Sequence, residues 1–283
     1  MPRKNIFEMV AEVFDLPKEI VRMRRLFEQE VIVDYDFGRK ATILEYVRKE
    51  GFSRWKNRGR CVDVEDFLSL LDYKLLWATS VGDMNDLMTL IEIVYNFWYI
   101  TDRGTSLRYQ QDSDGRNFLL LKKIMDECLA QYNYKGEYFP YLEQLIVIED
   151  KPEATAVAEI VNNDLSYKVL RYNHYMLKGD LQAKKDILLA LGADLEPKRK
   201  QIQAIDKDLE DGIFYILNNL NLRHNNKSVG DKNYRQAVAD MDDTTMEGWY
   251  DELYQMMLLA YLQLDQVMRN ASVNALKQVV SPK

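Results

Sequence analysis

Residues 198–222, KRKQIQAIDKDLEDGIFYILNNLNL, decide the fold class. Ile202, Ile205, Leu209, Ile213, Ile216 and Leu220 recur at steps of three and four, so a helix carries them on one face as a single buried stripe. Pro197 stands at the first turn, where a missing N–H costs nothing. Arg223-His224-Asn225-Asn226 ends the segment, because cations suit the negative helix end and Asn tolerates left-handed backbone. A second long helix begins near Thr244, where Thr244 and Glu247 have the spacing of a capping box. Its stripe is Trp249, Leu253, Met256, Ala260, Leu264 and Val267. Residues 153–177 and 181–195, parted by Gly179-Asp180, read as two more helices. Four helices on short links predict an up-and-down bundle over residues 151–283.

The preceding 150 residues read as a second helical domain, of unassigned role. Helices are predicted over 5–14, 18–30, 40–50, 64–80, 84–99, 116–132 and 138–147, with loops over 101–115 and 133–136. Val31-Ile32-Val33 predicts a short ribbon, since β-branched residues are cramped in helices, and no other sheet is expected. Glu149-Asp150-Lys151-Pro152 resists helix continuation and marks the boundary.

Composition narrows the class. Among 283 residues, 47% are hydrophobic and 29% charged, a globular balance, and twelve glycines with six prolines leave little punctuation for a many-stranded sheet. The chain is therefore read as all-α. Its most apolar window, residues 91–100 (IEIVYNFWYI), falls well short of the ~20 residues of a membrane span and contains Glu92 and Asn96. The first residues carry acids inside their apolar stretch and do not read as a signal peptide. Cys61 and Cys128, each alone, suit a reducing, cytoplasmic setting. With two histidines and no Cys pair, neither a metal site nor a cofactor is expected. Residues 1–60 hold 14 bases against 10 acids, while the whole chain is net −7, so a basic segment precedes an acidic body.

Three clusters have chemistry to offer, each with a plain structural alternative. Arg223 and His224 sit at a helix end beside Asn225 and Asn226; an Arg can grip a phosphate in two places and a His can move a proton near neutral pH. The alternative is electrostatic capping of the helix. Arg171 and His174, within RYNHY, could face that site across the bundle or could be ordinary polar surface. Arg54-Trp55-Lys56-Asn57-Arg58-Gly59-Arg60 mixes cations with an aromatic, as RNA binding by phosphate neutralisation and base stacking requires. The alternative is a solvated basic loop with Trp55 anchored in the core.

LKGDLQAKKDILLALGADLEPKRK (177–200), LEDGIFYILNNLNLRHNN (209–226) and WYDELYQMMLLAYLQLD (249–265) together resemble the abortive-infection (Abi-like) branch of the HEPN superfamily. The resemblance covers residues 165–268. It implies a four-helix bundle, commonly dimeric, and in many members a metal-independent ribonuclease of prokaryotic defence or toxin–antitoxin systems. Arg223 would be the motif arginine that steadies the scissile phosphate, and His224 the polar residue after it. The family's distal histidine is absent, since Ser228, Val229 and Gly230 occupy those places. His224 would then be the proton carrier. The implied function is an RNA-directed defence or toxin-type protein, either an endoribonuclease or an RNA-binding relative, homodimeric with the Arg223 helix end near the twofold axis. The rival is a non-catalytic helical interaction module with an unidentified partner protein and a structural Arg–His pair. The spacings predict a far-UV circular dichroism spectrum dominated by helix, and a strand-dominated spectrum would refute the fold class.

Overall fold

The computed structural model describes residues 15–27, 31–34, 39–70, 84–104 and 113–281. It is mostly helical, 72% helix against 7% strand. The chain divides into two compact units, Met1–Glu149 and Asp150–Lys283. The helix expected over 5–14 lies outside the described residues.

In the first unit, α1 (Leu16–Phe27) precedes a ribbon of β1 (Val31–Asp34) and β2 (Arg39–Ala41). Short helices follow, α2 (Ile43–Tyr46), α3 (Phe52–Arg54) and α4 (Val64–Leu70), then the long α5 (Met84–Gly104) and α6 (Ser113–Ala130). Both long helices extend into the stretch expected as a loop.

The expected helix over 138–147 is a β-hairpin instead. β3 (Tyr134–Phe139) pairs antiparallel with β4 (Gln144–Glu149) around the turn 140–143. Pro140 stands in the turn between the two strands, and Leu145–Ile148 are buried in succession, as in a strand covered on both faces. Glu92 and Asn96 explain why that strand is stable. From buried α5, the Asn96 amide donates to the Leu145 carbonyl (2.8 Å) and accepts from its N–H (2.9 Å). Glu92 accepts from the Val147 N–H (3.2 Å). The two polar residues inside the most apolar window thus satisfy backbone groups of β4 that β3 does not reach.

The second unit contains α7 (Pro152–Ile160), α8 (Asn163–Arg171), α9 (Leu181–Leu195), α10 (Arg199–Ile205), α11 (Lys207–Asn219), the single turn α12 (Gln236–Ala239) and α13 (Asp243–Val280). Two expected continuous helices are broken, each at a residue whose side chain starts the next. Asn162 accepts from the Leu165 N–H (3.0 Å) and Asp206 from the Leu209 N–H (3.0 Å). The break at Asp206 rotates Ile205 out of the stripe to 41% exposure, while Ile202, Leu209, Ile213 and Ile216 stay buried. The cap of α13 is Asp242, accepting from Thr245 N–H (2.7 Å), rather than Thr244. Its buried face is Met246, Tyr250, Leu253, Tyr254, Met257, Ala260 and Tyr261, so Trp249 of the expected stripe points outward.

α13 packs on α7, α9, α10 and α11. Its tyrosines fasten α8, α9 and α11 by their backbone. Tyr250 Oη reaches the Leu220 carbonyl (3.3 Å), Tyr254 Oη the Val169 carbonyl (2.7 Å), and Tyr261 Oη the Leu191 carbonyl (3.4 Å) and the Asp194 carboxylate (3.0 Å). Val169 and Leu220 lie at the ends of α8 and α11, where carbonyls lack an intrahelical partner. Burial pushes the Tyr250 phenol up to about 12 and those of Tyr254 and Tyr261 further. A free tyrosine ionises near pH 10. These raised values stabilise the fold below that pH, and the contribution is lost as pH rises through the folded values. In an alkaline titration, a subset of tyrosinate absorbance should therefore appear only together with loss of helical circular dichroism. Smooth ionisation of every tyrosine ahead of unfolding would contradict this arrangement.

Candidate functional site

The Arg223 region is built by the end of α11 and the loop 220–235. Asn221, in left-handed backbone (φ 56), turns the chain, and the Arg223 N–H returns to the Leu217 carbonyl (3.0 Å). Asn226 is 1% exposed. It accepts from the Asn221 N–H (2.8 Å) and donates to the Asn233 carbonyl (2.8 Å). Asn225 accepts from the N–H groups of Lys227 (3.3 Å) and Ser228 (3.0 Å). Both asparagines thus organise the loop's own backbone.

Arg223 folds back along α9. Its guanidinium meets the Glu196 carboxylate (2.5 Å) and the Gly192 carbonyl (3.4 Å), 5.4 Å above the Phe214 ring. Arg199 lies over the same ring at 4.4 Å, with an ion pair to fully buried Glu210, which also accepts from Gln203 (3.2 Å). Two guanidinia share one aromatic ring because two carboxylates balance them. His224 is exposed.

His174 stands elsewhere. Its Nδ1 accepts from the Met176 N–H (3.2 Å), capping a single 3-10 turn that leads into the start of α9. The Arg223 guanidinium lies at the other end of α9, a helix spanning about 22 Å. Arg171 is exposed, 5.9 Å from the Tyr167 ring centre.

The basic cluster of the first unit is tied down. Trp55 packs edge-on against Phe67 (5.3 Å), Phe52 (5.9 Å) and Phe97 (6.2 Å), which makes it a core anchor. Lys56 pairs with Glu143 (3.1 Å), and Asn57 donates to the carbonyls of Leu142 (2.8 Å) and Glu143 (2.9 Å), clamping the segment to the hairpin turn. Arg54 and Arg60 are exposed and Arg58 is half-buried.

The polar centre that sequence inspection missed surrounds Lys184, a buried lysine. Its ammonium meets Asp251 (2.6 Å) and Glu247 (2.7 Å) and lies 5.1 Å over the Tyr172 ring. Tyr172 donates to Asp251 (2.8 Å) and stacks on Tyr254 at 4.0 Å, while the Gly179 N–H donates to Glu247 (2.8 Å). Glu247 and Asp251, one turn apart, were the available signal. Burial and the Asp251 charge push the Tyr172 phenol far up. Burial alone would raise Glu247, but the Gly179 N–H and the Lys184 ammonium outweigh it and hold the carboxyl below its ordinary range. Every member has a partner here, so the cluster ties α9 and the link from α8 to α13.

A cavity of about 700 Å³ opens where α7 meets α8, bounded by Val161, Leu165, Ile205, Leu264, Val267 and Met268. Among the described residues no His, Cys, Asp and Glu group could hold a metal, and no helix is long and apolar enough to cross a membrane.

Two stability measurements follow. Arg223→Ala should cost about 1–2 kcal/mol through the ring contact and the ion pair, discounted because Glu196 is half exposed. A double-mutant cycle with Glu196→Ala should show positive coupling of about 0.5–1 kcal/mol; additive losses would refute the pair. Lys184→Ala should cost roughly 3 kcal/mol, since it leaves carboxylates facing a buried phenol. The depressed Glu247 carboxyl stabilises the fold above its unfolded value, near 4.5, and that contribution disappears as pH falls through the folded one. Lys184→Ala should accordingly flatten the acid limb of the stability profile.

No protein family, characterised protein or solved structure matches this chain.

Proposed function

We infer that the second unit is a non-catalytic helical interaction module whose Arg223 is structural. One observation carries this: the Arg223 guanidinium is held by Glu196, Gly192 and Phe214. To grip a phosphate it would have to leave the Glu196 carboxylate, the Gly192 carbonyl and the Phe214 ring together. The neighbours expected to help are engaged in the loop (Asn225, Asn226) or stand at the other end of α9 (His174). The HEPN-like ribonuclease alternative, an RNA-directed defence protein, would rest on His224 as proton carrier, since this loop-end histidine is exposed. It would need no cofactor or metal.

Incubation of the purified full chain with structured and single-stranded RNA in EDTA separates the two. No cleavage is expected, and Arg223→Ala should lower Tm by several degrees while His224→Ala leaves it unchanged. EDTA-resistant cleavage that His224→Ala abolishes at unchanged Tm would overturn the interaction reading.

A further inference from the structure

α13 outlasts the bundle it belongs to. Every residue of 266–280 is exposed, a projection of about 22 Å. The segment QVMRNASVNALKQVV holds four valines, two asparagines and a serine, which are weak helix formers, and an unpacked helix of this length is marginal in water. Yet its apolar positions keep the core's rhythm. Leu264, Met268, Ala271, Ala275 and Val279 continue the face of Met257 and Tyr261 in steps of four, three, four and four. Met268 is 66% and Val279 84% exposed. The root of this stripe, Leu264 and Met268, lines the 700 Å³ cavity.

We propose that this tail is a homodimerisation surface: the projecting helix of one copy lies antiparallel on that of a second copy, each tip covering the other's cavity mouth. The partner of the interaction module is then this chain itself, an extension that rests on the module reading. The register is self-complementary about an axis beside Ala271. Leu264 faces the partner's Val279 and Met268 the partner's Ala275, so large meets small and the smallest side chains sit where the helices cross. Charge selects the same partner. Residues 266–283 contain Arg269, Lys277 and Lys283 and no acid, whereas residues 150–265 carry 20 acids against 14 bases. Antiparallel docking lays that basic tail beside the partner's acidic body, at a cavity lined by Lys198, Asp194 and Asp265, whose acids are already paired within the chain with Lys198 and Arg269. Two such tails, each also covering a cavity mouth, bury on the order of 1,200 Å² in total, within the range of specific interfaces.

Sedimentation equilibrium of the full chain should give twice the protomer mass at about 10–50 μM, below which dissociation sets in. Met268→Glu and Val279→Glu, at positions exposed in the protomer, should leave Tm unchanged and each weaken dimerisation about 100-fold. Adding Ala275→Lys to Met268→Glu should restore the dimer, because the two positions face each other only across the antiparallel seam. Ala271→Cys should form an interchain disulfide on mild oxidation, against a background of two buried native thiols. A wild-type monomer throughout this range, a dimer indifferent to both glutamates, or failure of the lysine to rescue would each overturn the proposal. RNA cleavage by the wild type would instead remove the non-catalytic reading and leave these masses unchanged.

Discussion

The second unit depends on phenols that end helices. Tyr254 has its ring stacked on Tyr172 and its hydroxyl between the Val169 carbonyl and the Asn173 amide. A helix leaves its last carbonyls without partners, and burying them unsatisfied costs about 1–3 kcal/mol each. α13 meets that constraint from one face, with Tyr250 on the end of α11 and Tyr254 on the end of α8. The aromatic rings supply core volume and the hydroxyls satisfy the backbone, so the position of α13 fixes where its neighbours stop. The Lys184 cluster adds the complementary tie, holding the start of α9 through Gly179 and Glu247.

Helical class was legible because periodicity is written in residue spacing. The span Leu181–Leu195 was read to the residue, since Gly179 and Asp180 are local signals and Asp180 caps the helix it precedes. Breaks at Asn162 and Asp206 were not, because apolar spacing continues across both and only the side-chain bond to the third following amide reveals the stop. The hairpin over 134–149 misled for a different reason. Tyr138, Leu142 and Leu145 have helical spacing, and what makes β4 a strand is Asn96, 49 residues away.

The candidate site shows the same division. Arg223, His224 and the asparagines were visible as a concentration of polar groups at a helix end, and such a locus is where loop architecture is decided. Their partners were not visible. Glu196 lies 27 positions upstream, and nothing local distinguishes it from the chain's other surface acids. Asn226 reads as a loop residue from its neighbours, but its 1% exposure comes from the loop closing over it. Polar residue type announces a junction; whether the junction faces a ligand or its own backbone depends on the fold.

That division bears on where binding capacity remains. Around Phe214 and around Lys184, cations meet carboxylates and the Tyr172 hydroxyl meets the Asp251 carboxylate, so taking a ligand there means displacing a partner already in place. The apolar stripe of α13 is in the opposite condition. Residues 266–280 are all exposed, and displacing water from apolar surface is favourable without breaking anything first. Inside the bundle the same stripe meets the phenol-anchored core; outside, it keeps the spacing of a core and lacks the opposing layer. A helix of valine and asparagine gains little from its own backbone, so its order has to come from what packs on it.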